Sequence, residues 1–286
     1  MRGSLTTADG RTLSYERVGS GPLLVCHPGG PGASGRYFED LAGLARTATL
    51  IRLDPRGTGG SDPPVDGGYR LEDYVADLDD LRAHLGVERL NLLGHSHGGF
   101  VAIVYASTYP ERTGRLVLVS TLARFSEEQR AEKERLLAAK ESDPAFADAV
   151  DARRARDAGE YGDPAELVAL LAREFGLYFT RFDGTARAFV ERAVFAEPFN
   201  ADALNAFNAV VVPTFDLRPA LARIVAPTLV VTGDGDYMAG VGSAQEVAGG
   251  IAGSRLEIVA DAGHFPWIEA PEQVRAAIAT FLEGSR

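Results

Sequence analysis

One five-residue stretch constrains this chain more than any other: Gly94-His95-Ser96-His97-Gly98. It follows an apolar run, Arg89 to Leu93, and leads into a helical pattern that reaches Tyr109 and stops at Pro110. A serine held between a buried strand and a helix needs a sharp turn. Glycine two positions before and two after removes the Cβ atoms that would clash there. The pattern therefore predicts a strand-turn-helix unit with the Ser96 hydroxyl raised above a sheet edge.

The flanking sequence extends that unit into an α/β architecture. Apolar runs at Leu23 to Cys26, Thr49 to Leu53, Leu116 to Val119, Thr228 to Thr232 and Leu256 to Val259 alternate with helical spacing. Leu71, Tyr74, Val75, Leu78, Leu81 and Leu85 mark one such helix. Continuous apolar runs between helices predict parallel strands covered on both faces. The segments Ser4–Thr7 and Thr12–Val18 meet at Asp9-Gly10, a hairpin turn, so the sheet should start antiparallel. From about 122 to 221 the texture changes to charged helical sequence with many alanines, arginines and aromatics and no clear strand. The β pattern then resumes and closes with a helix opened by Pro271. We expect a mostly parallel sheet of about eight strands flanked by helices. Residues 1–121 and 222–286 would form the core, and 122–221 an inserted helical cap.

Composition narrows the function classes. The 286 residues carry a formal charge of −11, which repels phosphate backbones and makes nucleic acid an unsuitable partner. A single cysteine, Cys26, excludes an internal disulfide. No signal peptide and no apolar run long enough to span a bilayer is visible, so a cytoplasmic location is the expectation. No His/Cys/carboxylate set has metal-ligand spacing, and no cofactor is expected. The segment from Asp54 to Asp62 lacks the ending of a phosphate loop and should brace neighbouring loops instead.

The chemistry follows from what Ser96 needs. A hydroxyl attacks only when a base takes its proton. Five histidines exist. His95 and His97 are tied to the turn and point away from Ser96, with His97 expected at the pocket or its wall. His84 lies within the helix before the Arg89–Leu93 run and is expected to be a surface or packing residue. His264 follows the last strand, in a loop that should reach the same sheet edge as Ser96, and is the expected base. Asp236, after the Thr228–Thr232 strand, is the expected partner of its imidazole, with Asp234 the competitor. An oxyanion formed on Ser96 would need two backbone donors. The N–H of His97 is one; in His27-Pro28-Gly29-Gly30-Pro31-Gly32 the best second donor is Gly30.

Taken together, these motifs resemble the α/β-hydrolase superfamily along nearly the whole chain, with triad order Ser96, Asp236, His264. Gly29-Gly30-Pro31-Gly32 is similar to the oxyanion loop of proline iminopeptidases, although Gly94-His95-Ser96-His97-Gly98 departs from their Gly-Gly-Ser-Trp-Gly turn. That resemblance implies a serine aminopeptidase that releases N-terminal residues from small peptides or amides through an acyl-enzyme. It also implies acidic cap residues that hold the substrate amine; Glu174, Glu191 and Glu197 are the candidates. Tyr178 and Phe179 are expected at the substrate. The alternatives are a small-molecule carboxylesterase, thioesterase or lactone hydrolase and, more distantly, a non-catalytic binding protein of the same fold. The partner is in each case a small molecule or short peptide, with no membrane involved. Nothing in the sequence sets the oligomeric state.

Overall fold

The computed structural model describes every residue except Asp66, Ser285 and Arg286, so these three positions of the expected core lie outside the described residues. Eight strands form one sheet: β1 (Arg2–Thr6), β2 (Thr12–Gly19), β3 (Leu23–His27), β4 (Thr49–Asp54), β5 (Leu90–His95), β6 (Thr113–Val119), β7 (Thr228–Gly233) and β8 (Arg255–Val259). Their spatial order is β1-β2-β4-β3-β5-β6-β7-β8. β1 pairs antiparallel with β2, and β2 with β4; every other pair is parallel.

Side chains of a strand alternate between the two faces, and the core divides accordingly. Val25, Ile51, Leu92, Leu116, Leu118 and Val230 pack on one face. They meet the helices α1 (Leu71–His84) and α2 (His97–Thr108). Leu24, Cys26, Leu50, Leu93, Val117, Val119, Leu229 and Val231 pack on the other, with Phe38, Leu44, Trp267 and residues near the C-terminus. Each fully buried leucine contributes about 1.5–3 kcal/mol. The apolar runs are continuous because both faces are covered.

Between β6 and β7 the chain is almost wholly helical: α3 (Glu127–Glu141), α4 (Ala147–Asp157), α5 (Pro164–Glu174), α6 (Gly184–Phe189), α7 (Ala201–Ala206) and α8 (Arg218–Leu221). We call this segment the cap. Two π-helical turns, Val190–Val194 and Phe207–Val211, continue α6 and α7. The remaining helices are α9 (Gly240–Gly250), α10 (Pro266–Glu269) and α11 (Pro271–Glu283). Among the described residues no helix is long and apolar enough to cross a membrane.

Candidate active site

Ser96 stands between β5 and α2 with φ 53° and ψ −120°. For a residue with a Cβ this conformation costs on the order of 1–3 kcal/mol and persists only where its surroundings enforce it. They do: Ser96 N–H donates to Val119 O (3.0 Å), while Ser96 O accepts from Gly99 N–H (2.8 Å) and Thr121 Oγ1 (3.0 Å). The flanking glycines are required by contact. A Cβ on Gly94 would fall against the Gly98 carbonyl, and one on Gly98 against the His27 carbonyl.

His264 and Asp236 meet at the same edge. His264 Nδ1 lies 3.0 and 3.1 Å from the two Asp236 carboxylate oxygens. Burial pushes the fully enclosed Asp236 carboxyl up. The adjacent His264 and the N–H groups of Ala239 and Met238 outweigh that, and the carboxyl ends below its usual range. Asp234, the competitor, is exposed. The backbone of His264 is held as well, its N–H donating to Tyr178 O (2.7 Å), and Gly263 N–H donates to Glu269 (2.7 Å). With Nδ1 engaged, His264 Nε2 is left for the cavity that Ser96 also lines. The Ser96 hydroxyl makes no hydrogen bond among the described residues, so its proton is not yet committed to His264; such contacts commonly tighten only with substrate.

That cavity measures about 100 Å³. The core contributes Gly29, Gly30, Ala33, Tyr37, His95, Ser96, Met238, His264 and Phe265 to its wall. The cap contributes Leu171, Phe175, Tyr178, Val194, Phe195, Phe199 and Leu204. Of the expected oxyanion donors, Gly30 lies in the wall and His97 opens α2, where a helix leaves its first N–H groups free. Gly29 is not available for that task, because its N–H is spent on the Tyr37 hydroxyl (2.5 Å).

The remaining expected residues fall in different places. Tyr178 lines the cavity, but Phe179 is turned into the core beside Phe189 and Phe265. None of the three glutamates reaches the wall. Glu174 is 2% exposed and bound two-pronged by Arg156 (2.6 and 3.0 Å). Glu197 pairs with Arg36 and Arg2, and Glu191 faces solvent. His97 also differs from expectation. As the first residue of α2 its ring is buried between Tyr74 and Phe100 of the core and Phe207 of the cap, and His95 takes the place at the cavity. His84 is exposed, the surface alternative of the two expected for it. Tyr37, Leu171 and Met238 carry no motif that would have marked them. The segment after β4 braces the site: Asp54 accepts from Ser34 Oγ (2.5 Å) and Gly60 N–H (3.1 Å), and Arg56 pairs with Asp77 (2.9 Å). Among the described residues no cluster of three or more His, Cys, Asp or Glu side chains is set to hold a metal ion.

A positive-φ serine at a strand-helix turn, a His–Asp pair in the loops after later strands and this sheet order define a class. The chain belongs to the alpha/beta hydrolase fold family, whose model matches residues 22–271. It is similar to several proline iminopeptidases. It is 42% identical over 116 residues to the proline iminopeptidase of Lactobacillus helveticus, a stretch covering 39% of this chain and 39% of that one. It thus matches only about two fifths of that relative's length. It is 28% identical over 284 residues to proline iminopeptidase PfmaB of Pestalotiopsis fici, covering 96% and 97% of the two chains. Among solved structures, a hydrolase from Pseudomonas aeruginosa PA01 is 30% identical with a TM-score of 0.70, covering 99% of this chain and 98% of that one.

Proposed function

We propose that the protein is a serine hydrolase that cleaves small carboxylic esters with an apolar, uncharged acyl group through an acyl-enzyme. His264 Nε2 takes the Ser96 Oγ proton as Oγ bonds to the ester carbonyl carbon. The carbonyl oxygen becomes an oxyanion between the N–H groups of Gly30 and His97. Asp236 holds the imidazole by its Nδ1–H and offsets the charge on the imidazolium. Collapse breaks the bond to the alcohol oxygen, which leaves with the proton from Nε2. Water then enters, gives its proton to His264 and attacks the acyl carbon; the acid departs and Ser96 recovers its proton.

The observation that carries the ester reading is the wall of the cavity, which has aliphatic and aromatic side chains on the cap side and no carboxylate. An ammonium buried there without a counter-ion would cost several kcal/mol. Its size suits a short acyl group, well below the pockets of about 300–1,000 Å³ that take drug-sized ligands.

A second reading, release of an N-terminal residue, is favoured by the full-length similarity to a proline iminopeptidase. A small aromatic-walled cavity would also suit a prolyl ring. That reading needs an anion for the amine. The Glu174 carboxylate lies behind the wall, 3.4 Å from the hydroxyl of Tyr237, whose ring meets the wall residue Tyr178. It is already neutralised by Arg156.

The test compares p-nitrophenyl acetate with Pro-β-naphthylamide and its N-blocked form, alongside fluorophosphonate labelling. Labelling should fall on Ser96, and the two amides should be cleaved equally poorly. A free-amine amide cleaved more than about tenfold better than its blocked form would replace the ester reading with the peptidase one. An unlabelled Ser96 would sink both.

A further inference from the structure

Beside the Ser96 site runs a second chain of hydrogen bonds that the reaction above does not use. Gly29 N–H donates to the Tyr37 hydroxyl oxygen (2.5 Å). The same hydroxyl lies 2.7 Å from His95 Nδ1, and His95 Nε2 lies 2.9 Å from the carbonyl oxygen of His264. Chemistry sets the direction of each bond. A carbonyl only accepts, so His95 Nε2 carries the hydrogen. In a neutral ring Nδ1 is then the acceptor, and the Tyr37 hydroxyl donates to it. With His95 neutral, the proton arrangement has one solution.

The two ends of this chain are the two loops that must be registered against Ser96. Gly29 precedes the proposed oxyanion donor Gly30 and lies so close to Ser96 that a Cβ on it would be 2.8 Å from Ser96 Cβ. The other end is the backbone of the proposed base itself. Tyr37 and His95 are 2% and 1% exposed, and Phe38, Phe265 and Trp267 close around the His95 ring. The titratable groups facing it are Tyr37 and His264, whose ring lies 4.7 Å away, with Asp236 behind His264. Burial, and then the neighbouring His264, holds His95 well below the usual imidazole range. His95 therefore stays neutral when His264 takes up its proton in the reaction.

We propose that His95 and Tyr37 are positioning residues that register the Gly30 N–H and the His264 imidazole on Ser96 through this Gly29–Tyr37–His95–His264 chain. The inference rests on the hydrolase reading. Both line the cavity, but their hydrogen bonds go to backbone and to each other, not to the Ser96 hydroxyl or the His264 ring. Loss of a link leaves the substrate pocket in place but lets an oxyanion donor or the base drift, and misplacement by about 1 Å can cost about 100-fold.

The test uses the full chain with Tyr37→Phe, His95→Leu and His95→Gln, measuring kcat and KM for p-nitrophenyl acetate and Tm for each. Tyr37→Phe and His95→Leu should lower kcat by about 10- to 100-fold with KM within about twofold. His95→Gln offers one donor and one acceptor from its amide, and should recover about tenfold over His95→Leu. A folded Tyr37→Phe enzyme with kcat within twofold of the parent overturns the proposal, as does a fall in Tm with no fall in kcat. Should the His95 variants fail to fold, Tyr37→Phe decides alone, since it keeps the packed ring. A parent whose Ser96 resists fluorophosphonate overturns the hydrolase reading and this inference with it; a labelled parent with an unchanged Tyr37→Phe overturns the inference only.

Discussion

The strand ends and the cap enclose the same cavity by different means. Ser96, Gly29 and His264 come from the strand ends, and hydrogen bonds to the backbone hold each in place. The cap side is built from side chains of several separate segments, tied together by ring contacts such as Phe175 with Phe195 and Tyr178. Its charges pair among themselves, as in Arg156–Glu174, or with the core, as in Arg192–Glu39. Hydrogen bonds join the two parts at many points, among them His264 N–H to Tyr178 O, Thr180 to Glu269, Gln129 to Met238 O, and Asn200 to the carbonyls of Gly32 and Gly57. The lesson is a division of labour. Backbone geometry sets where the proposed chemistry occurs, and packing sets what fits there.

The strongest way to break that division is at the strand ends. Ser96→Ala should lower ester turnover by about 10⁴-fold or more with an unchanged Tm. Asp236→Asn should cost about 10²- to 10⁴-fold by offering the wrong tautomer partner. Asp234→Asn, two residues away and exposed, should stay within about twofold. Equal losses at 234 and 236 would refute the proposed role of Asp236.

The cap offers the next largest effect, and on stability rather than turnover. Arg156→Met leaves the Glu174 carboxylate buried without its partner. Unfolding in urea should show a loss of about 3 kcal/mol, with turnover of the folded enzyme retained within severalfold. Adding Glu174→Gln should restore part of it. If Arg156→Met instead raises cleavage of the free-amine amide over its blocked form, the freed Glu174 is acting as an amine anchor and the peptidase reading gains.

A smaller effect is expected in specificity. Phe199 is a half-buried wall residue from the cap. Phe199→Ala should shift the kcat/KM ratio of p-nitrophenyl octanoate to acetate by about tenfold toward the longer chain, the scale at which one or two methylenes discriminate. An unchanged ratio would place the acyl group elsewhere.

The same contrast explains what could be read from the amino-acid sequence. The Gly94–Gly98 turn, the apolar runs and the Asp9-Gly10 hairpin are local patterns, so the strands and the serine turn were legible. Asp236 and His264 could be picked out because strand ends of a parallel sheet gather at one edge. The insertion of β4 between β2 and β3 was not legible, since strand order is decided by crossovers rather than by any strand's own pattern. Nor was the fate of Glu174, whose partner Arg156 sits eighteen positions away on another helix. The placements of His95 and His97 went unread for a subtler reason. They are neighbours with nearly identical surroundings in sequence, and only the strand-to-helix turn sends one ring to the cavity and the other into the core.

That exchange has a measurable consequence at the junction of the two parts, where the His97 ring meets Phe207 of the cap at 5.2 Å. Three buried histidines, His27, His95 and His97, are held below the usual imidazole range. Burial is the main cause in each, with His264 adding to it at His95 and His27 at His97. His27 is pushed down to about 4. The unfolded chain takes up these protons near pH 6.5 while the folded chain refuses them. Below that pH the unfolded state binds more protons, so stability must fall as pH falls, each histidine steepening the slope by up to about 1.4 kcal/mol per pH unit. The His27 contribution ends near pH 4. Asp9 and Asp216, lowered to about 2, act only below pH 4, so the interval from pH 6 to 5 isolates the histidines from these two. Urea unfolding across that interval should show a steep loss, and His97→Phe, which keeps a ring against Phe207, should flatten it by about one proton's worth. An unaltered slope in His97→Phe would mean that this ring is protonated in the folded chain, and that the junction between core and cap is wetter than its packing shows.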